Sequence, residues 1–235
     1  MSPISRSSLP PDVGVLIAAA GSGERVGGDP KQFREIAGVP MLLRALRPFA
    51  QHPRVRQLVI ALPAAIVDAP PEWLETVAGG RLRLAVGGAT RAESVLAALR
   101  ALDAGCSTVL IHDAARPFVS YDTIETVIET TSESGVVPCV AVTDTLKRAE
   151  GGTGRVVETV AREGLWRAQT PQGFPRKKLE AAYKRIGEDG ISEFTDEAAL
   201  FEAAGYSVRV VPDSDRNIKI TTPCDFVVAE ALAQR

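Results

Sequence analysis

Residues 13–31 read VGVLIAAAGSGERVGGDPK, and this stretch decides the fold. It opens as an unbroken apolar run from Val13 to Ala20, breaks into Gly21-Ser22-Gly23-Glu24-Arg25, and ends at Pro30-Lys31. An apolar run without polar alternation is what a strand buried on both faces of a parallel sheet requires. The small residues after it let backbone approach a ligand, and the N–H groups of such a turn point at anions. Arg25 and Lys31 add two positive charges to the same loop. The stretch therefore reads as a buried strand feeding a phosphate cradle. The dinucleotide pattern Gly-x-Gly-x-x-Gly fails here, because Val26 stands at the third glycine position. The ATPase pattern Gly-x-x-x-x-Gly-Lys-Ser/Thr occurs nowhere in the chain.

Bulk properties narrow the possibilities further. A chain of 235 residues suits one large α/β domain, or one domain with an appendage. Net charge is −2, so nothing global points to nucleic acid, and anion binding must come from local clusters of Arg and Lys. Cys106, Cys139 and Cys224 are scattered without metal spacing and read as reduced thiols of a cytoplasmic protein. No apolar run is long enough to span a bilayer. Residues 1–12 lack a signal-peptide core and read as a disordered polar lead-in to a single domain over 13–235.

Outward from the opening stretch, strands and helices alternate. Gln32 to Ala37 and Pro40 to Ala50 look helical, the latter with an apolar face of Met41, Leu42, Ala45, Leu46 and Phe49. Strands are expected at Val55–Leu62, Arg81–Val86, Thr108–His112, Val136–Val142 and Val208–Val211. Pro63 to Pro71 reads as a loop, followed by a short helix at Trp73. Helices are expected at Arg91–Leu102, Tyr121–Ser134, Pro175–Gly187, Asp196–Ala204 and Pro223–Ala233. This alternation implies right-handed βαβ units and a mostly parallel sheet with helices on both faces. Ligands bind beyond the carboxyl ends of such strands. That rule gathers the loops at 18–31, 87–91, 113–117 and 143–145. Around Glu150-Gly151-Gly152-Thr153-Gly154 the pattern changes to two short alternating segments, the signature of a β-hairpin. An isolated hairpin is marginal in water, so a second copy of the chain is the expected support.

Several positions admit two readings. Gly87-Gly88-Ala89-Thr90 before Arg91 and Ser94 is either a helix start capped by Thr90 or a loop whose backbone reads a base edge. Asp113, just beyond a buried strand, is either a turn-forming residue or a seat for Mg²⁺. Arg116 is its partner or a substrate contact. Thr195-Asp196-Glu197 caps a helix and complements its dipole, and the same hydroxyl and amides can hold a phosphate. Lys219, in Asn217-Ile218-Lys219-Ile220-Thr221, sits in an apolar, strand-like setting that a triphosphate would explain. His112 reads as a satisfied, partly buried histidine. Asp213-Ser214-Asp215 has the Asp-x-Asp form of nucleotide-sugar glycosyltransferases, away from the usual mid-sheet position.

The form Ala-Ala-Ala-Gly-Ser-Gly-x-Arg…Pro-Lys resembles the opening of nucleotidyltransferases. With Gly-Gly-x-x-Arg-x-x-Ser-Val, His-Asp-Ala-Ala-Arg-Pro, Asp-Thr-Leu-Lys, Gln-Thr-Pro-Gln, Thr-Asp-Glu-Ala and Asn-Ile-Lys-Ile-Thr in the same order, the chain resembles the 2-C-methyl-D-erythritol 4-phosphate cytidylyltransferases from Val13 to its end. That resemblance implies a Rossmann-like nucleotidyltransferase fold with a protruding β-hairpin arm at about 143–167, paired as a homodimer. It implies CMP transfer from CTP with Mg²⁺ as cofactor. Arg25, Lys31 and Lys219 would hold the triphosphate and the transition state. Ala19, Ala20, Gly21, Gly88 and Ser94 would surround the nucleotide. Asp113 would serve Mg²⁺. Arg116, Thr145, Arg162 and Thr195 would surround the phosphorylated alcohol, Arg162 coming from the other subunit. Ala89 replaces an acid seen in relatives. The neighbouring possibility is a ribitol 5-phosphate cytidylyltransferase.

Overall fold

In the computed structural model, residues 10–21 and 31–234 are described. Arg25 and the rest of loop 22–30 lie outside the described residues, as do most of the lead-in and residue 235. The apolar run forms β1 (Val13–Ala18), buried at five of its six positions. It lies at the middle of an eight-stranded sheet. A 3-10 turn (Lys31–Phe33) and a two-residue hairpin, β2 (Glu35–Ile36) and β3 (Val39–Pro40), follow where a helix over 32–37 was expected. The reason is the turn: Ala37 and Gly38 both take positive φ, 47° and 71°, which breaks a helix and closes a tight hairpin.

Helix α1 (Met41–Gln51) follows, with Pro40 as its cap rather than its first residue. Then come β4 (Val55–Leu62), the short α2 (Ala64–Asp68) inside the expected loop, α3 (Glu72–Thr76) and β5 (Leu82–Val86). Next are α4 (Arg91–Arg100), β6 (Thr108–Asp113), α5 (Tyr121–Thr130) and β7 (Gly135–Ala141). The hairpin is β8 (Leu146–Ala149) with β9 (Val156–Val160). Strands β10 (Trp166–Ala168) and β11 (Gln172–Pro175), helix α6 (Arg176–Ile186), α7 (Glu197–Ala203), β12 (Val208–Pro212) and α8 (Pro223–Ala233) complete the chain.

Strand β1 pairs in parallel with β4 on one side and β6 on the other, and β4 pairs with β5. Strand β11 is wedged antiparallel between β6 and β7, while β12 runs parallel to β7. The two antiparallel strands β10 and β11 were not legible as strands in the sequence. Alternation along β1 feeds two cores. Leu16 joins α4, α6 and α7 on one face, whereas Val13, Val15 and Ile17 pack with α1 and α5 on the other. The arm β8–β9 forms its own two-stranded sheet, and Val156 and Val157 stand 55% and 60% exposed on it. Gly152 and Gly154 turn it with φ of 83° and 69°.

Candidate active site

A cavity of about 250 Å³ opens at the carboxyl edge of β1, β5 and β6. Ala19, Ala20 and Gly21 line one wall, Gly88, Ala89, Arg91 and Ser94 another, and Lys31, Asp113 and Lys219 close it. A larger depression of about 610 Å³ lies between α4 and α6, far from these loops. Three of the four gathered loops thus meet as the parallel-sheet rule requires. The fourth does not: Thr145 is exposed at the start of the arm.

Local chemistry explains why each wall stands where it does. Thr90 caps α4 by accepting from Glu93 N at 3.2 Å, and Glu93 returns the bond to Thr90 N, so α4 starts at Arg91. Ser94 Oγ, one turn on, donates to Thr90 O at 2.9 Å and accepts from Gly88 N at 3.1 Å, which fixes the Gly87-Gly88 turn. Buried Gln32 donates to Ala19 O at 2.9 Å and holds the other wall. Lys31 Nζ donates to Ile220 O at 3.0 Å, and Ile220 N donates to Ala115 O at 2.8 Å. Asp225 at N3 of α8 accepts from the amides of Thr221 and Thr222, both at 2.7 Å. These bonds position Lys219 on an irregular segment, not a strand.

The centre of the site is Asp113. Its Oδ1 accepts from Arg91 Nε at 2.9 Å and its Oδ2 meets Lys219 Nζ at 2.7 Å. Burial alone would raise this carboxyl, but the two cations outweigh it and hold Asp113 well below the usual carboxylate range. Arg91 also donates from Nη1 to Glu197 Oε2 at 2.7 Å. Glu197 is 1% exposed, burial pushes its carboxyl up, and Tyr183 donates to its other oxygen at 3.3 Å. Asp113's ion partners are therefore Arg91 and Lys219, not Arg116. The Arg116 guanidinium is buried and donates to Asn217 O at 2.7 Å and Ala168 O at 3.3 Å, tying the Lys219 segment to β10. Arg91 carried no role in the sequence reading, although it sits inside the quoted Gly-Gly-x-x-Arg string.

His112 is fully buried. Its Nδ1 meets Thr170 Oγ1 at 2.9 Å, its Nε2 meets Arg116 O at 3.0 Å, and burial pushes it down to about 4. It is a structural histidine, as expected. The helix cap at α7 is Asp196, which accepts from Ala199 N at 2.9 Å, and Thr195 stands exposed just before it. Arg162 is exposed on the arm and donates to Thr143 O. Asp213 accepts from Thr123 Oγ1 and Asn217 Nδ2, and Asp215 pairs with Arg167 on the surface. The Asp-x-Asp string is thus a structural turn.

Mg²⁺ keeps several waters and takes one or two carboxylates plus substrate phosphates. One ionised carboxylate at the mouth of an anion pocket fits that demand. Among the described residues no group of three or more His, Cys, Asp or Glu could form a closed metal cage. No helix there is long and apolar enough to cross a membrane.

A parallel sheet that brings a small-residue loop, two lysines and one ionised aspartate to a single cavity at its carboxyl edge defines a nucleotidyltransferase-type α/β protein. A family model described as 2-C-methyl-D-erythritol 4-phosphate cytidylyltransferase matches residues 13–235. The enzyme of that name from Salinibacter ruber is 44% identical over 220 residues, 93% of this chain and 91% of that protein. The crystal structure of the Thermus thermophilus enzyme superposes with a TM-score of 0.79 at 36% identity, covering 94% of this chain and 98% of that one. The Francisella tularensis structure gives 0.80 at 31%, with 94% and 99% covered. The chain belongs to the 2-C-methyl-D-erythritol 4-phosphate cytidylyltransferase family.

Proposed function

We infer that the chain transfers CMP from CTP to 2-C-methyl-D-erythritol 4-phosphate, giving 4-(cytidine 5'-diphospho)-2-C-methyl-D-erythritol and pyrophosphate in isoprenoid precursor biosynthesis. The observation that carries this reading is the meeting of Lys31 and Lys219, from opposite ends of the chain, in one cavity beside Asp113. A phosphate monoester has a second pKa of ~6, so the attacking phosphate is largely dianionic at neutral pH. Its oxygen bonds to the α-phosphorus of CTP as the bond to the β-phosphate oxygen breaks. No general base is needed, which agrees with a site whose only nearby histidine is buried with both ring nitrogens engaged.

The barrier is electrostatic, since a dianion approaches a polyanion. Lys31 and Lys219 place charge where it accumulates on the α-phosphoryl group and the leaving pyrophosphate. The family resemblance adds Arg25, which lies outside the described residues, as a third cation for the triphosphate. The Lys219 side chain is 44% exposed and can turn from Asp113 to a phosphate oxygen. A bound Mg²⁺ would offset phosphate charge, and Asp113 is the residue that would hold it. Ala19, Ala20, Gly21, Gly88 and Ser94 form the nucleotide walls.

Arg116, Thr145, Arg162 and Thr195 belong to the alcohol phosphate, Arg162 reaching it from a second subunit of a homodimer through the exposed arm. Residues 13–235 then act as one domain in the cytoplasm, with the arm at 143–167 as its dimer contact. The test is pyrophosphate release from CTP and Mg²⁺ on adding 2-C-methyl-D-erythritol 4-phosphate. Release with ribitol 5-phosphate and none with methylerythritol phosphate would overturn the reading.

A further inference from the structure

We propose that Arg91 and Glu197 are positioning residues for this reaction: Glu197 holds the Arg91 guanidinium so that it pins one oxygen of Asp113 and leaves the other as the exchangeable position. The inference rests on Asp113 being the residue toward which phosphate-bound Mg²⁺ is held. An arginine facing a single carboxylate grips it with two parallel bonds. Here the fork is divided. Nε goes to Asp113 Oδ1 at 2.9 Å, and Nη1 goes to Glu197 Oε2 at 2.7 Å. Nη2 is buried without a hydrogen-bond partner among the described residues, so the two carboxyl groups take all the bonds the guanidinium makes there.

The two oxygens of Asp113 are consequently unequal. Oδ1 is fixed by a side chain that is 26% exposed and backed by a carboxylate that is 2% exposed. Oδ2 is held by the point charge of Lys219, on a flexible stem that is half in solvent. Glu197 is itself located by its place in the first turn of α7 and by the Tyr183 hydroxyl. Its oxygen also occupies Arg91 Nη1 inside the cavity, so that Arg91 stays on the two carboxyl groups when a triphosphate arrives. The same pair joins the start of α4, which carries the nucleotide wall, to the start of α7, which follows Thr195.

The test uses two variants. Glu197→Gln keeps the shape but replaces the carboxyl with a neutral amide, which weakens the hold on Arg91 Nη1 and frees the guanidinium to turn on Asp113. Arg91→Lys leaves one ammonium that cannot span both carboxylates. CTP affinity is measured by calorimetry with Mg²⁺ and with EDTA, beside kcat and KM. Outer partners of a metal-holding side chain are worth about 10–100-fold in metal affinity or activity. The affinity gained from Mg²⁺ should fall by that factor in each variant, with kcat falling and KM for the alcohol phosphate unchanged. In Glu197→Gln, whose side chain does not line the cavity, CTP affinity in EDTA should stay within about twofold. A purely structural role would lower the melting temperature and leave the gain from Mg²⁺ intact. Retention of that gain in Glu197→Gln overturns the proposal, whatever Arg91→Lys does. A wild-type protein whose CTP affinity ignores Mg²⁺ refutes the role of Asp113 instead.

Discussion

Gly87 opens the turn after β5 with its amide on Leu62 O at 2.8 Å, and no side chain fits there. A Cβ at this position would stand 2.3 Å from the Cβ of Ala20 and 2.9 Å from Ser94 Oγ. Neither neighbour is the far end of a flexible chain. Ala20 belongs to the first wall of the cavity, and Ser94 Oγ is committed to Gly88 N and Thr90 O. Gly87→Ala must therefore spread the two nucleotide walls by more than an ångström, since ordinary contacts begin near 3.4 Å. Overpacking of this kind costs about 1–3 kcal/mol. Where the strain falls on the cavity alone, CTP affinity drops by about 5–150-fold. Calorimetric titration with CTP reads the loss, and circular dichroism confirms the fold. Ala20→Gly in the same chain removes the closer of the two clashes and should restore most of the affinity. Unchanged CTP binding in folded Gly87→Ala, or no recovery in the double variant, would refute the argument that these two walls set the width of the site.

Lys31→Ala and Lys219→Ala should each lower kcat by about 10²–10³, by analogy with loss of one preorganised donor, and barely change KM for the alcohol phosphate in steady-state pyrophosphate release. Arg162→Ala should raise that KM instead, and sedimentation should show a dimer. A fully active monomer would remove the cross-subunit role. His112 titrates near 4 in the fold against 6.5 when exposed, so the unfolded chain binds the proton first as pH falls. Its contribution is complete above about 6.5 and is lost progressively toward 4, by about 3 kcal/mol in all. Urea midpoints taken from pH 7 to 4.5 should decline accordingly, and a His112→Gln variant should decline less.

The parallel part of the fold was legible because its strands are buried on both faces and carry continuous apolar runs, as in Val13–Ala18 and Leu58–Leu62. Strand β11 was not, because Gln172-Gly173-Phe174-Pro175 is short and carries both strand breakers. It survives through Phe174, fully buried against Phe201 at a centroid distance of 5.1 Å, which only the folded chain reveals. The turn at Ala37-Gly38 overrode a stretch that otherwise suited a helix. In the site, Lys31, Lys219 and Asp113 were nameable from their strings and do meet. Arg116 was one of two readings for the partner of Asp113 because it is close in sequence, whereas the observed partner Arg91 comes from another βα loop 22 positions earlier. Charges that pair across a sheet edge leave no spacing to read.

The central place of β1 carries a cost during synthesis. Val13 pairs with Thr108, a partner 95 positions downstream. At about 5–20 residues per second, the first strand waits about 5–20 s on the ribosome with both apolar faces and one edge bare. Completion of the central sheet is thereby deferred until nearly half of the newborn chain has emerged, and the unpaired edge of Val13–Ala18 is open to stray pairing in that interval.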